Sequence, residues 1–161
     1  MSDARLTHIN EAGEANMVDV GAKPDTQRMA VAGGQVHLNP ETVDLIRKGL
    51  MKKGDVLSVA KIAGIMAAKK TWELIPLCHP LRLTGIEIDF LPDTTLSQIR
   101  ITALVRALDR TGVEMEALVA VTHAALTIYD MCKAIDRGMT IQDVRLTFKN
   151  GGKSGLYQRS K

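Results

Sequence analysis

One predicted helix in the last third of the chain carries an unusual set of polar side chains on a single face. Over residues 113–135, a helical rotation of about 100° per residue places four polar side chains on one face, each within about 40° of the first of them. They are Glu116, His123, Thr127 and Asp130. Lys133 follows Asp130 at i+3, where helical side chains touch. A carboxylate beside an ammonium group suits proton transfer when burial and the partner tune both pKa values.

The opposite side of this helix is apolar, and we expect it to face the core. Its residues are Leu118, Val121, Ala125, Ile128 and Cys132. For an arbitrary helix, a solvated outer face is the commoner explanation of a polar stripe, and the Asp130–Lys133 pair would then contribute at most about 1 kcal/mol. A cleft or a subunit boundary is the alternative, and only there would the pair serve acid–base chemistry. The pattern alone leaves both open.

A second candidate is the segment 74–80, in which a thiol and an imidazole are adjacent. Pro76 and Pro80 exclude a regular helix, so an extended or turning segment is predicted. Adjacent Cys78 and His79 do not have the ligand spacing of the common zinc sites. Neighbours on an extended chain point in opposite directions, which argues against a Cys–His nucleophilic pair. This geometry predicts Cys78 facing the core and His79 facing a site, although a purely structural His79 fits the pattern equally well.

Two basic segments are candidates for anion binding. Residues 151–155 read Gly-Gly-Lys-Ser-Gly, but a nucleotide-hydrolase P-loop needs Gly at position 147, which is Thr, and a helix after Lys-Ser. A mobile glycine-rich loop with exposed amides and Lys153 could still contact phosphate. Lys53 stands at a predicted helix start, where backbone amides are free. Ordinary surface charge is the simpler explanation for Lys53 and for the other lysines that flank this helix, Lys52, Lys69 and Lys70.

These candidates are positioned by elements in the predicted order β-α-α-β-β-α-β. The strands are predicted at 28–37 (weak, and broken by Gly33-Gly34), 86–90, 99–108 and 140–148; the helices at 40–48, 55–70 and 113–135. The second helix is predicted from apolar residues spaced by three and four: Val56, Val59, Ile62, Ala63, Met66 and Ala67. Asp55 is its predicted N-cap, and Asn39-Pro40 begins the first helix. The order is that of a ferredoxin-like α+β fold, an antiparallel sheet with helices packed on one face.

The composition indicates one soluble domain of 161 residues with 45% hydrophobic residues, a net charge of +3 and two cysteines. Aromatic residues make up 3%, which argues against stacking on nucleic-acid bases. Neither a membrane span nor a signal peptide is predicted, so the expected location is the cytoplasm. We expect an N-terminal arm at 1–27 that could be mobile, a catalytic domain at 28–150 and a Gly/Lys-rich tail at 151–161, read as a flexible loop.

Six segments together resemble the cyclic pyranopterin monophosphate synthase family of molybdenum cofactor biosynthesis. They are Met-Val-Asp-Val at 17–20, Lys-Lys-Gly-Asp at 52–55, Leu-Ile-Pro-Leu-Cys-His-Pro at 74–80, Thr-Gly-Val-Glu-Met-Glu-Ala-Leu at 111–118, Tyr-Asp-Met-Cys-Lys at 129–133 and the glycine-rich 151–155. The resemblance implies a lyase that converts 3′,8-cyclo-7,8-dihydro-GTP to cyclic pyranopterin monophosphate and releases pyrophosphate. It also implies a ferredoxin-like fold and a hexamer of three dimers, with active sites at the dimer boundary.

The resemblance also implies roles for individual residues. Asp130, Lys133 and Lys53 match catalytic positions, with Asp130 orienting a Lys133 whose pKa is lowered toward neutrality by desolvation and cationic neighbours. The expected substrate-binding residues are Leu77, Cys78, His79, Glu114, Met115, Glu116, Arg28, Lys70 and Lys153. Arg28, Lys70 and Lys153 would neutralise the triphosphate, while His79 and Glu116 would hold the ring. His123 matches no family motif, and Leu156-Tyr157 stands where the family commonly has Asp-Phe.

The reaction is redox-neutral, so no redox cofactor is expected, and no metal ligands are predicted; Mg²⁺ bound with the triphosphate is compatible with the sequence but not predicted by it. Two other classes share this order of elements. A regulatory module would bind a phosphorylated nucleotide without converting it, and an assay for the oxidised fluorescent product would separate it from an enzyme. An RNA-recognition module needs aromatic residues on its central strands, whereas the candidate strands here offer Phe90 and Phe148 and lack the usual aromatic-rich signature.

Overall fold

A computed structural model of the chain describes residue 9, residues 12–153 and residues 155–160. Most of the first eleven residues and Ser154 lie outside the described part. The elements are β1 Thr26–His37, α1 Pro40–Arg47, α2 Val56–Ala68, α3 Thr71–Leu74, β2 Leu83–Asp93, β3 Gln98–Asp109, α4 Glu114–Cys132, β4 Thr140–Asn150 and β5 Tyr157–Gln158. Within these ranges, no helix combines the length and the apolar character that crossing a membrane would require.

The strands form one antiparallel sheet in the order β2-β3-β1-β4-β5. Its first four strands have the ferredoxin-like order, so the predicted α+β class is confirmed. Along β3, Ile99, Ile101 and Val105 are buried beneath the helices while Arg100 and Arg106 are exposed. This period-two alternation lets one face of the sheet build the core with α2 and α4.

Local signals place most element ends correctly. Asn39 precedes Pro40 at the start of α1, and the Asp55 carboxylate accepts a hydrogen bond from the Ser58 amide at 3.0 Å, as an N-cap should. Two elements were not predicted. The helix α3 has four residues and β5 has two, so neither is long enough to show a period. Tyr157 and Gln158 pair with Lys149 and Phe148, so part of the predicted flexible tail is an edge strand.

The prediction that Gly33-Gly34 breaks the first strand is wrong. β1 runs continuously through both residues, with an irregularity in its register to β4 between Gly33 and Gln35. A Cβ at Gly34 would lie 2.7 Å from Cγ1 of Val121 on α4. Glycine is therefore needed here because the helix approaches the strand closely, and not because the strand ends.

Helix α2 packs antiparallel to α4 through small residues and exposes three of its larger ones. A Cβ at Gly64 would lie 2.8 Å from the Ala120 carbonyl oxygen, so the two helices could not approach as closely with a larger residue. The other core-facing residues are Val56, Ala60, Ala67 and Ala68, which are buried, and Leu57 and Ile65, which are partly buried. Val59, Ile62 and Met66, which the amphipathic pattern grouped with them, are 44%, 59% and 56% exposed. We call these three residues the α2 stripe. An exposed row of apolar side chains of this kind indicates a contact surface.

Candidate active site

The segment 77–79 and the N-terminal end of α4 line one cavity of about 330 Å³. Three residues of the N-terminal arm also contribute to its walls. The lining residues are Val18, Val20, Lys23, Leu77, Cys78, His79, Leu81, Thr111, Gly112, Glu114, Met115 and Glu116. We call it the first cavity. It brings together six of the nine predicted substrate-binding residues, from two segments that are more than thirty residues apart.

His79 and Cys78 both face the first cavity, so the prediction that Cys78 points into the core is wrong. The segment turns, with the Cys78 amide donating to the Ile75 carbonyl at 3.0 Å, and the alternation of an extended strand does not apply. His79 Nε2 lies 2.8 Å from the Val18 carbonyl oxygen. Because a carbonyl only accepts, Nε2 carries the proton. Burial, followed by the charge of Glu116, raises the pKa of the Cys78 thiol, which makes it a poor nucleophile near neutral pH.

Glu116 is buried, which the helical-wheel argument did not predict. Glu116 is only 3% exposed, and it shares the wall of the first cavity with Cys78 and His79. Burial raises the pKa of Glu116 to about 7, and the negative charge of Glu114 adds to the rise. The carboxyl can therefore exchange a proton near neutral pH, which suits a group that binds a polar heterocycle.

Replacing Glu116 should reveal this proton in the pH dependence of stability. The pKa of Glu116 is higher in the folded state than in the unfolded state. Its carboxyl therefore contributes fully to the free energy of unfolding below about pH 4.5, and this contribution is lost as the pH rises through about 7. The free energy of unfolding of the wild type should therefore decrease by about 3 kcal/mol relative to that of Glu116→Gln as the pH rises from 4.5 to 8. Denaturant unfolding at several pH values measures the difference. Glu73→Gln, at an exposed carboxylate, should show no such trend, and an equal trend in both variants would contradict the assignment.

A second cavity of about 270 Å³ adjoins the first and is strongly basic. It shares Lys23, Thr111, Gly112 and Glu114 with the first cavity, and we call it the basic cavity. Its cationic residues are Lys23, Arg28, Arg110, Lys149 and Lys153. Arg28 is held by the Asp109 and Arg110 carbonyl oxygens, 3.1 Å from Nε and 3.0 Å from Nη2. Such a concentration of cations favours an anion with several charges.

Sequence reasoning found Arg28 and Lys153 in this cavity but missed Lys23, Arg110 and Lys149. The three belong to the arm, the end of β3 and the end of β4, and only the sheet register brings them together. β1 begins opposite Asp109 of β3, and its Met29 lies opposite Asn150 of β4. The sequence did offer one signal for them. Basic residues stand at the ends of strands, and these strand ends meet at one end of a ferredoxin-like sheet.

The three predicted catalytic residues form a separate cluster. Lys133 Nζ lies 2.7 Å from Asp130 Oδ1, and Lys53 Nζ lies 3.8 Å from Asp130 Oδ2 and 3.0 Å from the Asp130 carbonyl oxygen. A hydrogen bond from Lys133 and the charges of both lysines lower the pKa of Asp130, and the same hydrogen bond raises the pKa of Lys133. The expectation of a lowered Lys133 pKa is therefore wrong for the single chain, because the pair is exposed and Asp130 stabilises the ammonium.

The cluster and the first cavity lie at opposite ends of α4. Glu116 stands in its first turn and Asp130 near its last, and fourteen residues of helix rise about 21 Å. The Asp130 and Lys133 side chains are 62% and 54% exposed. Within one chain, the cluster therefore cannot act on a molecule bound among His79 and Glu116.

Two remaining residues lie outside both cavities. Lys70 precedes α3 and pairs with Glu73 at 3.8 Å, so the single chain does not bring it to the basic cavity. His123 Nδ1 lies 3.0 Å from the Val119 carbonyl oxygen, one helical turn back. This contact explains His123 as part of α4, consistent with leaving it out of the predicted site.

Comparison with known proteins decides the family. The sequence profile of the MoaC family matches residues 17–152. The chain belongs to the MoaC family. It is similar to the cyclic pyranopterin monophosphate synthase of Pelotomaculum thermopropionicum, with 61% identity over 96% of this chain and 91% of the relative. It is also similar to the enzyme of that name from Thermomicrobium roseum, with 58% identity over 97% of this chain and 94% of the relative.

The region matched to the MoaC family contains the residues of both cavities except Lys153. It also contains the Lys53–Asp130–Lys133 cluster and the whole of α2. The family resemblance noted in the sequence is thereby confirmed. The match begins within the arm, so the arm residues that line the first cavity belong to the MoaC region.

Proposed function

We propose that this chain is a cyclic pyranopterin monophosphate synthase. In this proposal it converts 3′,8-cyclo-7,8-dihydro-GTP to cyclic pyranopterin monophosphate with release of pyrophosphate, and the family match and the names of the two relatives support this product. The observation that carries the proposal is a cavity lined by His79 and Glu116 that shares four wall residues with a neighbouring cavity lined by five cations. The substrate is a ring joined to a triphosphate, so its ring and its phosphates match two cavities that lie side by side.

The basic cavity binds the triphosphate in this proposal. Arg28 offers the N–H groups that the two backbone carbonyls leave unused, and a guanidinium matches phosphate oxygens in two-point contacts. Lys23 lies in both cavities and neutralises the phosphate nearest the ring. Concentrated positive charge also stabilises the departing pyrophosphate, because its bridging oxygen keeps the electron pair of the broken P–O bond and gains negative charge.

The first cavity binds the ring. Glu116, with its pKa near 7, accepts hydrogen bonds from ring N–H groups when ionised. Because Nε2 of His79 donates to the Val18 carbonyl oxygen, Nδ1 is the ring nitrogen left to contact the substrate. The arm residue Val18 thus fixes the tautomer of a ring-binding residue.

The Lys53–Asp130–Lys133 cluster supplies proton transfer. Because Asp130 raises the pKa of Lys133, this lysine reaches the substrate as an ammonium and acts first as a proton donor. Asp130 orients it and Lys53 adds a second positive charge to the same carboxylate. Ring opening and closure need only such proton transfers and charge stabilisation, so we propose that the reaction needs no redox cofactor.

The active site is assembled from two chains, in our proposal. The 21 Å length of helix between cluster and cavity is bridged if the cluster of one protomer meets the first cavity of another. The α2 stripe supplies the surface, and three further exposed apolar residues, Leu50, Trp72 and Leu74, flank α2 in the sequence. A dimer formed through this surface is the unit of the hexamer that the family resemblance implies.

A two-fold axis near Ile62 gives the required geometry. It packs α2 antiparallel to its copy, so that a residue nine positions before Ile62 meets one nine positions after it. Lys53 of one protomer then lies beside the start of α3 in the other, which leads directly to the segment 77–79. Lys70 falls next to the same contact, which offers it a role that the single chain does not.

The cytoplasmic location expected from the sequence stays a prediction.

The direct test is turnover of 3′,8-cyclo-7,8-dihydro-GTP by the purified protein, with the oxidised product detected by fluorescence and pyrophosphate by a coupled assay. Lys133→Ala should lower kcat by about 10³-fold, since the loss of a positioned proton donor has effects of this size. Lys48→Ala is the matched control, because Lys48 is an exposed lysine paired with Asp44 at 2.6 Å and lies outside α2 and both cavities. Wild type that binds the substrate without releasing pyrophosphate would instead indicate a nucleotide-binding module.

A further inference from the structure

Gly112, just before α4, lies in the wall that the two cavities share. A Cβ at this position would lie 2.7 Å from Cδ and 2.8 Å from Oε1 of Glu114, and closer still to Oε2. These are the three nearest atoms, so the Glu114 carboxylate occupies the space that a side chain at position 112 would take. The backbone of Gly112 is outside the left-handed region, so alanine would fit its conformation.

The Glu114 carboxylate in turn holds a cation of the basic cavity. Its Oε1 accepts a hydrogen bond from Lys149 Nζ at 2.8 Å, and about a quarter of each side chain is exposed. Glu114 lines both cavities, whereas Lys149 lines only the basic one. The ion pair therefore crosses the boundary between them. A lysine side chain is flexible, so its ammonium stays at one place only where a partner holds it.

We propose that Gly112 is a positioning residue for anion binding: by lacking a side chain, it lets the Glu114 carboxylate hold the Lys149 ammonium toward the phosphates of the substrate. The identity of that anion rests on the proposed function. The arrangement of the three residues does not, because it follows from the contacts at Gly112 and Lys149 alone.

Gly112→Ala should weaken anion binding without disturbing the fold. The added methyl group forces the Glu114 carboxylate into one of the cavities, because flexible side-chain atoms yield before the backbone does. Lys149 then loses its hydrogen bond to Glu114, and a negative charge moves toward the bound anion. We expect the Kd for inorganic pyrophosphate, measured by titration calorimetry, to rise about tenfold. The KM for the cyclic nucleotide should rise in parallel, with kcat changed by less than about threefold because Lys133 and Asp130 are untouched.

A double-mutant cycle separates this role from a merely structural one. In a Glu114→Ala background the carboxylate is absent, so Gly112→Ala should change the Kd for pyrophosphate by less than about twofold. Gly85→Ala is the matched control, since a Cβ there meets only Arg106 at an ordinary 3.5 Å. The same tenfold loss in both backgrounds would overturn the proposal, and so would wild type that binds no pyrophosphate. Coupling observed in a protein that fails to turn over the nucleotide would leave the positioning role intact and disprove the proposed function.

Discussion

Two inactive variants, Lys133→Ala and His79→Ala, should recover activity when their chains are mixed in one oligomer. In the proposed assembly, each active site takes the Lys53–Asp130–Lys133 cluster from one chain and the first cavity from another. After unfolding and refolding an equimolar mixture, about one quarter of the sites would combine an intact cluster with an intact cavity. The mixture should therefore show about a quarter of wild-type turnover, against less than about 1% for either variant alone.

The matched control is a mixture of Lys53→Ala and Lys133→Ala. Both residues contact Asp130 of their own chain, at 3.8 and 2.7 Å, so every cluster in this mixture carries a defect. No recovery is expected. If the first mixture also stayed inactive although its chains had exchanged, the active site would lie within one chain, and the proposed two-chain assembly would be wrong.

A carboxylate at the centre of the α2 stripe should dissociate the oligomer and abolish turnover. The Ile62 side chain is exposed in the single chain, so Ile62→Asp should leave the fold and its circular dichroism intact. Across a two-fold axis near this residue, however, two aspartates would be buried facing one another, at a cost of several kcal/mol. Analytical ultracentrifugation should then show smaller species, and turnover should fall at least about 100-fold.

Leu96→Asp provides the comparison. Leu96 is an equally exposed apolar residue, 58% against 59% for Ile62, but it lies in the turn between β2 and β3. The same substitution there should change neither the sedimentation nor the turnover. An Ile62→Asp protein that sediments and reacts like wild type would exclude the α2 stripe as the contact that completes the active site.

The two predictions test different links in one argument. Mixed oligomers ask whether cluster and cavity come from different chains, whatever surface joins those chains. The stripe variant asks which surface joins them. Recovery in the mixture together with an unchanged Ile62→Asp protein would therefore keep the shared active site and move the contact elsewhere.

Features that depend on neighbouring residues could be predicted from the sequence. The alternation of β2 and β3 and the caps at Asn39 and Asp55 are set by local geometry, and they sufficed for the ferredoxin-like order. The Asp130–Lys133 contact is also local, since residues at i and i+3 of a helix must touch. The same holds for the turn that carries Cys78 and His79, whose existence follows from two prolines, although the direction of Cys78 does not.

Features that depend on how elements pack could not be predicted in this way. Lys53 reaches Asp130 across 77 positions of sequence because α2 and α4 pack antiparallel, and that packing depends on the single missing side chain at Gly64. The basic cavity exists because the register of three strands brings the arm, Arg110 and Lys149 together at one end of the sheet. Glu116 is buried and shares a cavity wall with a segment from another part of the chain, and a helical wheel represents neither fact. Periodicity reports which side of an element is apolar, but which neighbour covers it is settled only by the whole fold, as the exposed α2 stripe shows.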